Sequence, residues 1–177
     1  PMGEKEIESI ISINKSRLYH KTTSTGRVLD SISSLLGICY QRTFEGEPAI
    51  SLESISVNGK DILISPRISD NMLDTTYLLK FIFENKNKFS LKDLAYSAQV
   101  YIAKGLANIA IENALSSGIK VIGFSGGVAY NKVITKVIKE EVEKSGVKFL
   151  QHKNIPPGDG GISVGQAYYA MSELLKK

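Results

Sequence analysis

Two glycine-rich turns in the last third of the sequence contain the residue types that could bind a nucleotide. The first, residues 123–131, reads GFSGGVAYN, and it lies between the apolar run IKVI and the amphipathic run KVITKVIKEEVEKSG. Gly126 and Gly127 have no Cβ, so a ligand can approach the backbone closely. A helix that begins near Asn131 would present free N–H groups to it. Asn131 could cap that helix or hydrogen-bond a ribose or a base. The alternative is that the two glycines only pack a strand against a helix.

The second turn, residues 156–163, reads PPGDGGIS and places Asp159 between glycines. Its carboxylate is the kind of oxygen ligand that hard or borderline cations prefer, and it is equally suited to capping the helix that follows. Neither His20 nor His152 has a second histidine, a cysteine or a carboxylate at ligand spacing. Any metal at Asp159 would therefore need ligands from outside this chain.

Arg27 and Asp30 form a third candidate pair, three residues apart in TSTGRVLD. On a helix this spacing places the two side chains next to each other. One interpretation is a surface ion pair, worth under about 1 kcal/mol. The other makes Arg27 an anion clamp and Asp30 a ribose acceptor. The residues alone favour the ion pair.

The spacing of apolar residues predicts the elements that position these groups. Gly and Ser residues mark several helix boundaries, with Ser24 or Thr25 and Ser90 as caps and Gly37 and Gly118 as ends. Asn58-Gly59 predicts a tight turn, followed by a β-rich run to residue 69. The predicted helices span residues 4–16, 26–37, 48–56, 74–85 and 90–118.

The last third predicts a strand over residues 120–126, a helix to residue 146, a strand over 147–153 and a closing helix over 162–177. A strand–helix–strand unit favours a parallel pair with a right-handed crossover. Ligands bind beyond the carboxyl ends of such strands, which is where both glycine-rich turns fall. We therefore expect a helix-rich α/β fold in a single domain over residues 1–177.

The composition is that of an ordinary soluble globular chain, with 42% hydrophobic and 23% charged residues among 177. It has no apolar run long enough for a membrane span. The net charge of +4 comes from scattered lysines, which does not indicate nucleic-acid binding. The single cysteine, Cys39, excludes an internal disulfide and suits the cytoplasm.

Four stretches taken together resemble the HypF carbamoyltransferase family. They are TSTGRVLDSISSLLG, FEGEPAISLE, GFSGGVAYN and IPPGDGGISVGQA, and they occur in the family's order over roughly residues 14–170. The motifs FEGEPA and PPGDGGISVGQ favour this family over the related TsaD threonylcarbamoyltransferases that act on tRNA. The resemblance implies an actin/hexokinase-like (ASKHA) ATPase fold, of which this chain forms part of the second lobe.

The resemblance also implies a nucleotide site. Asp30 would accept hydrogen bonds from ribose hydroxyls, Asp159 would bind a metal, and Arg27 matches a family Gly-Arg pair without a firm role. The cofactor would be ATP or carbamoyl adenylate with a divalent metal, Mg, Fe or Zn. The residues implied to bind the nucleotide are Asp30, Glu47, Ser125, Gly126, Gly127 and Asn131.

In the family, the complete enzyme makes carbamoyl adenylate and passes the carbamoyl group to the C-terminal cysteine of HypE during nickel–iron hydrogenase maturation. The family's two metal-binding histidines lie in a first lobe that this sequence does not contain. The implied partners are therefore the missing lobe or the remainder of the enzyme, a HypE-like acceptor, and other copies of the chain through self-association. Alone, the chain is expected to be inactive. The alternatives are a relative acting on tRNA or a small molecule, and a non-catalytic nucleotide-binding module.

Overall fold

The computed structural model describes residues 3–176, and within that range it confirms a helix-rich α/β fold. Residues 1, 2 and 177 lie outside it, so the predicted domain and last helix are compared only over the described part. Two single-turn 3-10 helices, Gly127–Tyr130 and Asp159–Gly161, occupy the glycine-rich turns. The remaining elements are α1 Glu4–Ser16, α2 Thr25–Leu35, α3 Glu47–Ile55, β1 Ile68–Ser69, β2 Met72–Leu73, α4 Thr75–Asn85, α5 Leu91–Ser116, β3 Val121–Phe124, α6 Lys132–Lys144, β4 Lys148–Gln151 and α7 Ile162–Leu174.

Helix α5 is the centre of the fold and is largely buried. Helices α2, α3, α4 and α6 all pack against it. Small residues let these neighbours approach closely. At Gly105, an added Cβ would collide with the side chain of Leu73, so this position requires the smallest residue.

Side-chain caps fix where four of the helices begin. Ser24 accepts a hydrogen bond from the N–H of Arg27, and Ser90 accepts one from Asp93, as the sequence predicts. Asp74 and Asn131 cap α4 and α6 in the same way. The helices α2, α4, α5 and α6 therefore start at positions set by local sequence signals, whereas α3 and α7 have no side-chain cap. Helix α3 begins after Gly46.

Strands β3 and β4 form the predicted parallel pair, with Ile122 opposite Phe149. Those two side chains pack against the core on one face of the pair. On the other face, Val121 and Leu150 are exposed. The two glycine-rich turns follow the carboxyl ends of these strands and so lie side by side, as expected.

The predicted β-rich run after Asn58-Gly59 is wrong. Only the two short strands β1 and β2 form there, as an antiparallel pair. The segment before them is tied to helix α5 instead of to a neighbouring strand, because α5 presents acceptor side chains one helical turn apart. The three backbone N–H donors and their acceptors are Lys60 to Asp93 Oδ1 at 2.7 Å, Ile62 to Ser97 Oγ at 2.9 Å and Arg67 to the Tyr101 hydroxyl at 3.1 Å.

The first and last helices form as predicted but bury no side chain. The four isoleucines of α1 are 47–58% exposed. Helix α7 likewise exposes most of its large apolar side chains. Within residues 3–176, no helix is both long enough and apolar enough to cross a membrane.

The Tyr101 hydroxyl generates a stability prediction. It accepts the Arg67 N–H at 3.1 Å and donates to the Asp74 carbonyl at 2.8 Å, and the side chain is fully buried. Tyr101→Phe leaves both partners without this bond, so we expect the free energy of unfolding to fall by about 1–3 kcal/mol. Urea denaturation measures the change. Tyr168→Phe, an exposed position on α7, is the matched control, and an equal effect in both variants would contradict the assignment.

Candidate functional site

A cavity of about 670 Å³ opens where the predicted site segments meet. The starts of α2 and α3 form one wall, and the turns after β3 and β4 form the other. Its volume lies in the range of pockets that hold small organic ligands. Of the site residues expected from sequence, those that line it are Arg27, Asp30, Gly127, Asn131 and Asp159.

The two glycines of the first turn have different roles. Gly127 lines the cavity, and a Cβ added there would meet nothing within 4 Å, so its open side faces the ligand space. Gly126 is not among the lining residues. It has a φ of 100°, a backbone conformation that favours glycine, and its N–H donates to the Pro157 carbonyl at 2.7 Å. Gly126 therefore sets the conformation of the turn, and the missing side chain of Gly127 leaves room in the cavity for a ligand.

Ser125 connects the two turns and does not line the cavity. Its hydroxyl donates to the Pro157 carbonyl at 3.1 Å, and His152 Nε2 lies 3.0 Å from Ser125 Oγ. Because the serine proton is directed to Pro157, the proton between Ser125 and His152 must come from the imidazole. We define Ser125, Gly126, His152 and Pro157 as the turn latch. The sequence shows no short-range pattern for it, since its members lie up to 32 residues apart.

Asn131 serves as a helix cap, one of the two roles that its sequence position left open. Its Oδ1 accepts the N–H of Ile134 at 2.8 Å, and its Nδ2 donates to Gln99 Oε1 at 2.7 Å. The side chain is buried, and Gln99 is completely so. Both halves of the amide are therefore already engaged with the protein.

The expectation that α6 would present free N–H groups to a ligand is wrong for two of the first three residues of the helix. The N–H of Lys132 donates to Glu53 Oε1 at 2.8 Å, and that of Ile134 is taken by Asn131. Glu53 reaches this point from α3, so its negative charge already lies at the positive end of the helix dipole. Sequence reasoning missed Glu53, because its partner lies 79 residues further along the chain.

Acidic groups dominate the charge of the cavity. Arg27 and Asp30 form the predicted ion pair, with Nη1 and Oδ2 3.2 Å apart, and both side chains line the cavity. Glu45, Glu53 and Asp159 also line it. Four carboxylates against one guanidinium disfavour a bare phosphate and favour hydroxyl groups, amino groups and cations.

Glu47 lies outside the cavity lining, whereas Glu45 lies within it. As the first residue of α3, Glu47 turns back, and its carboxylate accepts hydrogen bonds from the N–H and the hydroxyl of Thr43. The backbone hydrogen bond from Thr43 lowers the pKa of the Glu47 carboxyl below its usual value. The motif FEGE offers two acids beside the cavity, and only the path of the turn determines that Glu45 lines it and Glu47 does not.

Asp159 begins the second 3-10 helix with its carboxylate facing the cavity. Neither that short helix nor α7 has a side-chain cap, so the capping role that the sequence allowed is absent. Residues 3–176 contain no group of three or more histidine, cysteine or acidic side chains placed to hold a metal ion. Asp159 offers a single oxygen ligand, which does not make a metal centre by itself.

The lowered pKa of Glu47 predicts a pH-dependent contribution to stability. A carboxyl whose pKa is lower in the folded chain stabilises the fold above its ordinary value of 4.5, and this contribution is lost as the pH falls through the folded pKa. Glu47→Gln should therefore lower the melting temperature at pH 7, and the difference from the wild type should shrink below about pH 4.5.

Thermal unfolding monitored by circular dichroism from pH 3 to pH 7 measures this difference. Glu8→Gln, an exposed change on α1, is the matched control. A difference between Glu47→Gln and the wild type that stays constant with pH would contradict the role assigned to the Thr43 contact.

The sequence of the chain is similar to those of known proteins. The sequence profile of the family described as "Carbamoyltransferase, Kae1-like Domain, second subdomain" matches residues 2–166. The chain is 47% identical to the probable carbamoyltransferase HypF of Methanocaldococcus jannaschii, covering 93% of this chain and 22% of that protein. It is 29% identical to the tRNA N6-adenosine threonylcarbamoyltransferase of Dictyoglomus turgidum, covering 82% of this chain and 45% of that protein.

Solved structures give the same picture. The crystal structure of T. kodakarensis HypF superposes with a TM-score of 0.88 at 37% identity, covering 98% of this chain and 23% of that one. Full-length HypF in the phosphate- and nucleotide-bound form superposes with a TM-score of 0.86 at 23% identity, covering 98% and 24%. These matches confirm the expected fold, part of the second lobe of an actin/hexokinase-like domain. The chain spans about a quarter of the length of these HypF structures.

Proposed function

The chain belongs to the HypF carbamoyltransferase family, as the second subdomain of the Kae1-like domain, and on this premise we propose that it supplies the nucleoside-binding part of a carbamoyltransferase. One observation carries the proposal. The cavity brings together all four sequence stretches that resemble the family, including Asp30 from the first, Gly127 from the third and Asp159 from the fourth. A single ligand site at this cavity would explain why all four of these separate stretches resemble the family.

The chemistry of the cavity suits the nucleoside half of a nucleotide. Asp30 is an acceptor for ribose hydroxyls, and its ion pair with Arg27 at 3.2 Å holds the carboxylate in place. Glu45 lies on the same wall and offers a second acceptor, the position that we propose in place of Glu47. Gly127 leaves room for the ligand to lie against the turn.

The phosphates belong at the mouth of the cavity, near Asp159. They would need a divalent cation, Mg, Fe or Zn, because the carboxylates of the cavity repel them. Asp159 would supply one oxygen ligand, and the remainder of the enzyme would supply the others, histidines among them. Such a cation offsets the phosphate charge and polarises the reacting group.

In the complete enzyme, the carbamoyl group passes from carbamoyl adenylate to the C-terminal cysteine of a HypE-like acceptor in hydrogenase maturation. A carbon–sulfur bond forms, the bond from the carbamoyl carbon to the phosphate oxygen breaks, and AMP leaves. The cavity lining of this chain includes no cysteine, so the thiolate comes from the acceptor. The chain's own part is to bind and orient the adenylate, and alone it holds the nucleotide without turnover.

The exposed apolar surfaces support the proposal that this chain functions together with the rest of a cytoplasmic enzyme. Val121 and Leu150 leave one face of the β3–β4 pair uncovered, and α7 exposes its apolar side chains. Uncovered apolar patches of this kind mark interaction surfaces. The missing first lobe or the remainder of the enzyme would cover them, and self-association would do so in its absence.

A second candidate function is action on tRNA, as in the threonylcarbamoyltransferase relative. The observation that favours it is a hollow beside the cavity, lined by Lys132, Lys136 and Lys139 and by no carboxylate. Three lysines on one face of α6 would attract a polyanion, and Glu140 and Glu143, which lie within 4.0 Å of Lys136 and Lys139, offset part of their charge. Binding of tRNA that weakens steeply with salt would favour this candidate over the carbamoyltransferase that acts on a protein thiol.

The test of the proposed function is a calorimetric titration of the chain with ATP and ADP plus magnesium. Wild type should bind saturably. Gly127→Val places a side chain in the cavity without touching the protein, so it should weaken binding by at least about tenfold. Gly165→Val, at a similarly open position on α7, is the matched control. Saturable binding that Gly127→Val leaves unchanged, or no binding by the wild type, would contradict the proposal.

The charge of the cavity generates a further prediction. In metal-free buffer, adenosine should bind at least as tightly as ATP, because the triphosphate meets four carboxylates without a cation between them. Adding magnesium should strengthen ATP binding and leave adenosine binding unchanged. Calorimetry with and without a chelator measures both effects. Tighter binding of ATP than of adenosine in the chelator would show that phosphate contacts dominate, against the nucleoside assignment.

A further inference from the structure

We infer that Tyr130 is the platform on which the nucleobase stacks, and that it sets the preference of this site for a purine. The inference rests on the proposed function and goes beyond it. Gly127 and Asn131, on either side of Tyr130, are implied by the family resemblance to bind the nucleotide, whereas Tyr130 itself is not.

Tyr130 is the aromatic residue of the cavity lining. It ends the 3-10 helix Gly127–Tyr130 and is 57% exposed. Ile50, on the opposite wall, is 55% exposed and also lines the cavity. The other large apolar side chains of the lining are buried or partly buried. The cavity thus combines a strongly acidic part with a small apolar part that contains one aromatic ring.

The backbone on either side of Tyr130 is fixed. The carbonyl of Ala129 accepts a hydrogen bond from the Thr135 hydroxyl at 3.0 Å. The next residue, Asn131, is buried and joined to both α5 and α6 by its side chain. An exposed ring on a fixed backbone loses little conformational freedom when a ligand binds to it.

The ring itself rests against the second turn. A Cβ added to Gly158 would come within 2.7 Å of Tyr130 Cε2, so a larger residue at position 158 would displace the ring. Within residues 3–176, the Tyr130 hydroxyl makes no hydrogen bond, and the ring packs against no other aromatic ring. The ring is therefore exposed and open to a stacking partner, and Tyr130 also lines the lysine-containing hollow beside the cavity.

A ligand that satisfies both parts of the cavity has hydroxyl groups for the acidic wall and a flat aromatic group for Tyr130. A nucleoside has this chemistry, with its ribose toward Asp30 and its base toward the ring. Base–aromatic stacking occurs with every base and grows with the overlapping area, so a purine gains more than a pyrimidine.

The experiment compares adenosine and uridine binding to wild type, Tyr130→Ala and Tyr130→Phe. Tyr130→Ala should weaken adenosine binding by about 5- to 150-fold, the range that stacking on one aromatic ring contributes. Uridine binding should weaken less. Tyr130→Phe retains the ring and should stay within about threefold of the wild type, since the hydroxyl has no bonded partner. The loss of adenine absorbance near 260 nm that accompanies stacking should occur with wild type and Tyr130→Phe and be absent with Tyr130→Ala.

A second variant guards against a purely structural effect of Tyr130→Ala. Gly158→Ala keeps the tyrosine and displaces its ring, and the φ of −98° at this residue allows alanine. It should weaken adenosine binding in the wild-type background and have little further effect in Tyr130→Ala, because the two changes remove the same contact. Equal melting temperatures for Tyr130→Ala and wild type would show that the fold is retained.

Each outcome has one meaning. Adenosine binding that Tyr130→Ala leaves unchanged overturns this inference and leaves the proposed function standing. Equal losses for Tyr130→Ala and Tyr130→Phe would assign the effect to the hydroxyl and also overturn it. A wild-type chain that binds neither nucleoside overturns the proposed function, and the inference with it.

Discussion

The burial of polar side chains on α5 is the constraint on which the rest of the structure depends. Ser97, Gln99 and Tyr101 lie within a helix that is packed on most sides, and a buried polar group is costly unless it is hydrogen-bonded. Their partners come from distant parts of the chain. Ser97 and Tyr101 hold the segment that leads to β1, and Gln99 holds Asn131 at the start of α6. One helix therefore organises both an irregular segment of the fold and a turn of the cavity.

The Gln99–Asn131 bond also explains why the cavity has its chemical character. Asn131 is committed to the core and to capping α6, and Glu53 completes the start of the same helix. Several of the N–H groups that a glycine-rich turn could offer to phosphate, those of Gly126, Lys132 and Ile134, are thus satisfied by the protein. The cavity lining adds carboxylate oxygens, one ion pair and one aromatic ring. The proposed selectivity of this cavity therefore rests on hydrogen-bond acceptors and ring stacking more than on the helix dipole.

Sequence reasoning succeeded where the deciding signal is local. Caps such as Ser24 and Ser90 and the parallel strands around α6 follow from residues close to one another in the chain. It failed where the deciding partner is distant. The β-branched residues before Ile68 suggest a strand, but side chains of α5 take their backbone hydrogen bonds. The free start of α6 was expected because nothing near it indicates that Glu53 would arrive from α3. Glu45 and Glu47 lie at the same turn, and only the path of its backbone decides that Glu45 lines the cavity.

The turn latch joins the two glycine-rich turns at a single acceptor. Pro157 has no N–H of its own, so its carbonyl accepts hydrogen bonds from Ser125 and Gly126 without adding a donor that needs a partner. The two turns therefore form one wall of the cavity. Helices α2 and α3, which pack on each other and on α5, form the other wall, and Glu53 of α3 bonds across to the N–H of Lys132 at the start of α6. Because hydrogen bonds tie both walls together, the shape of the cavity is set by contacts that involve residues outside its lining.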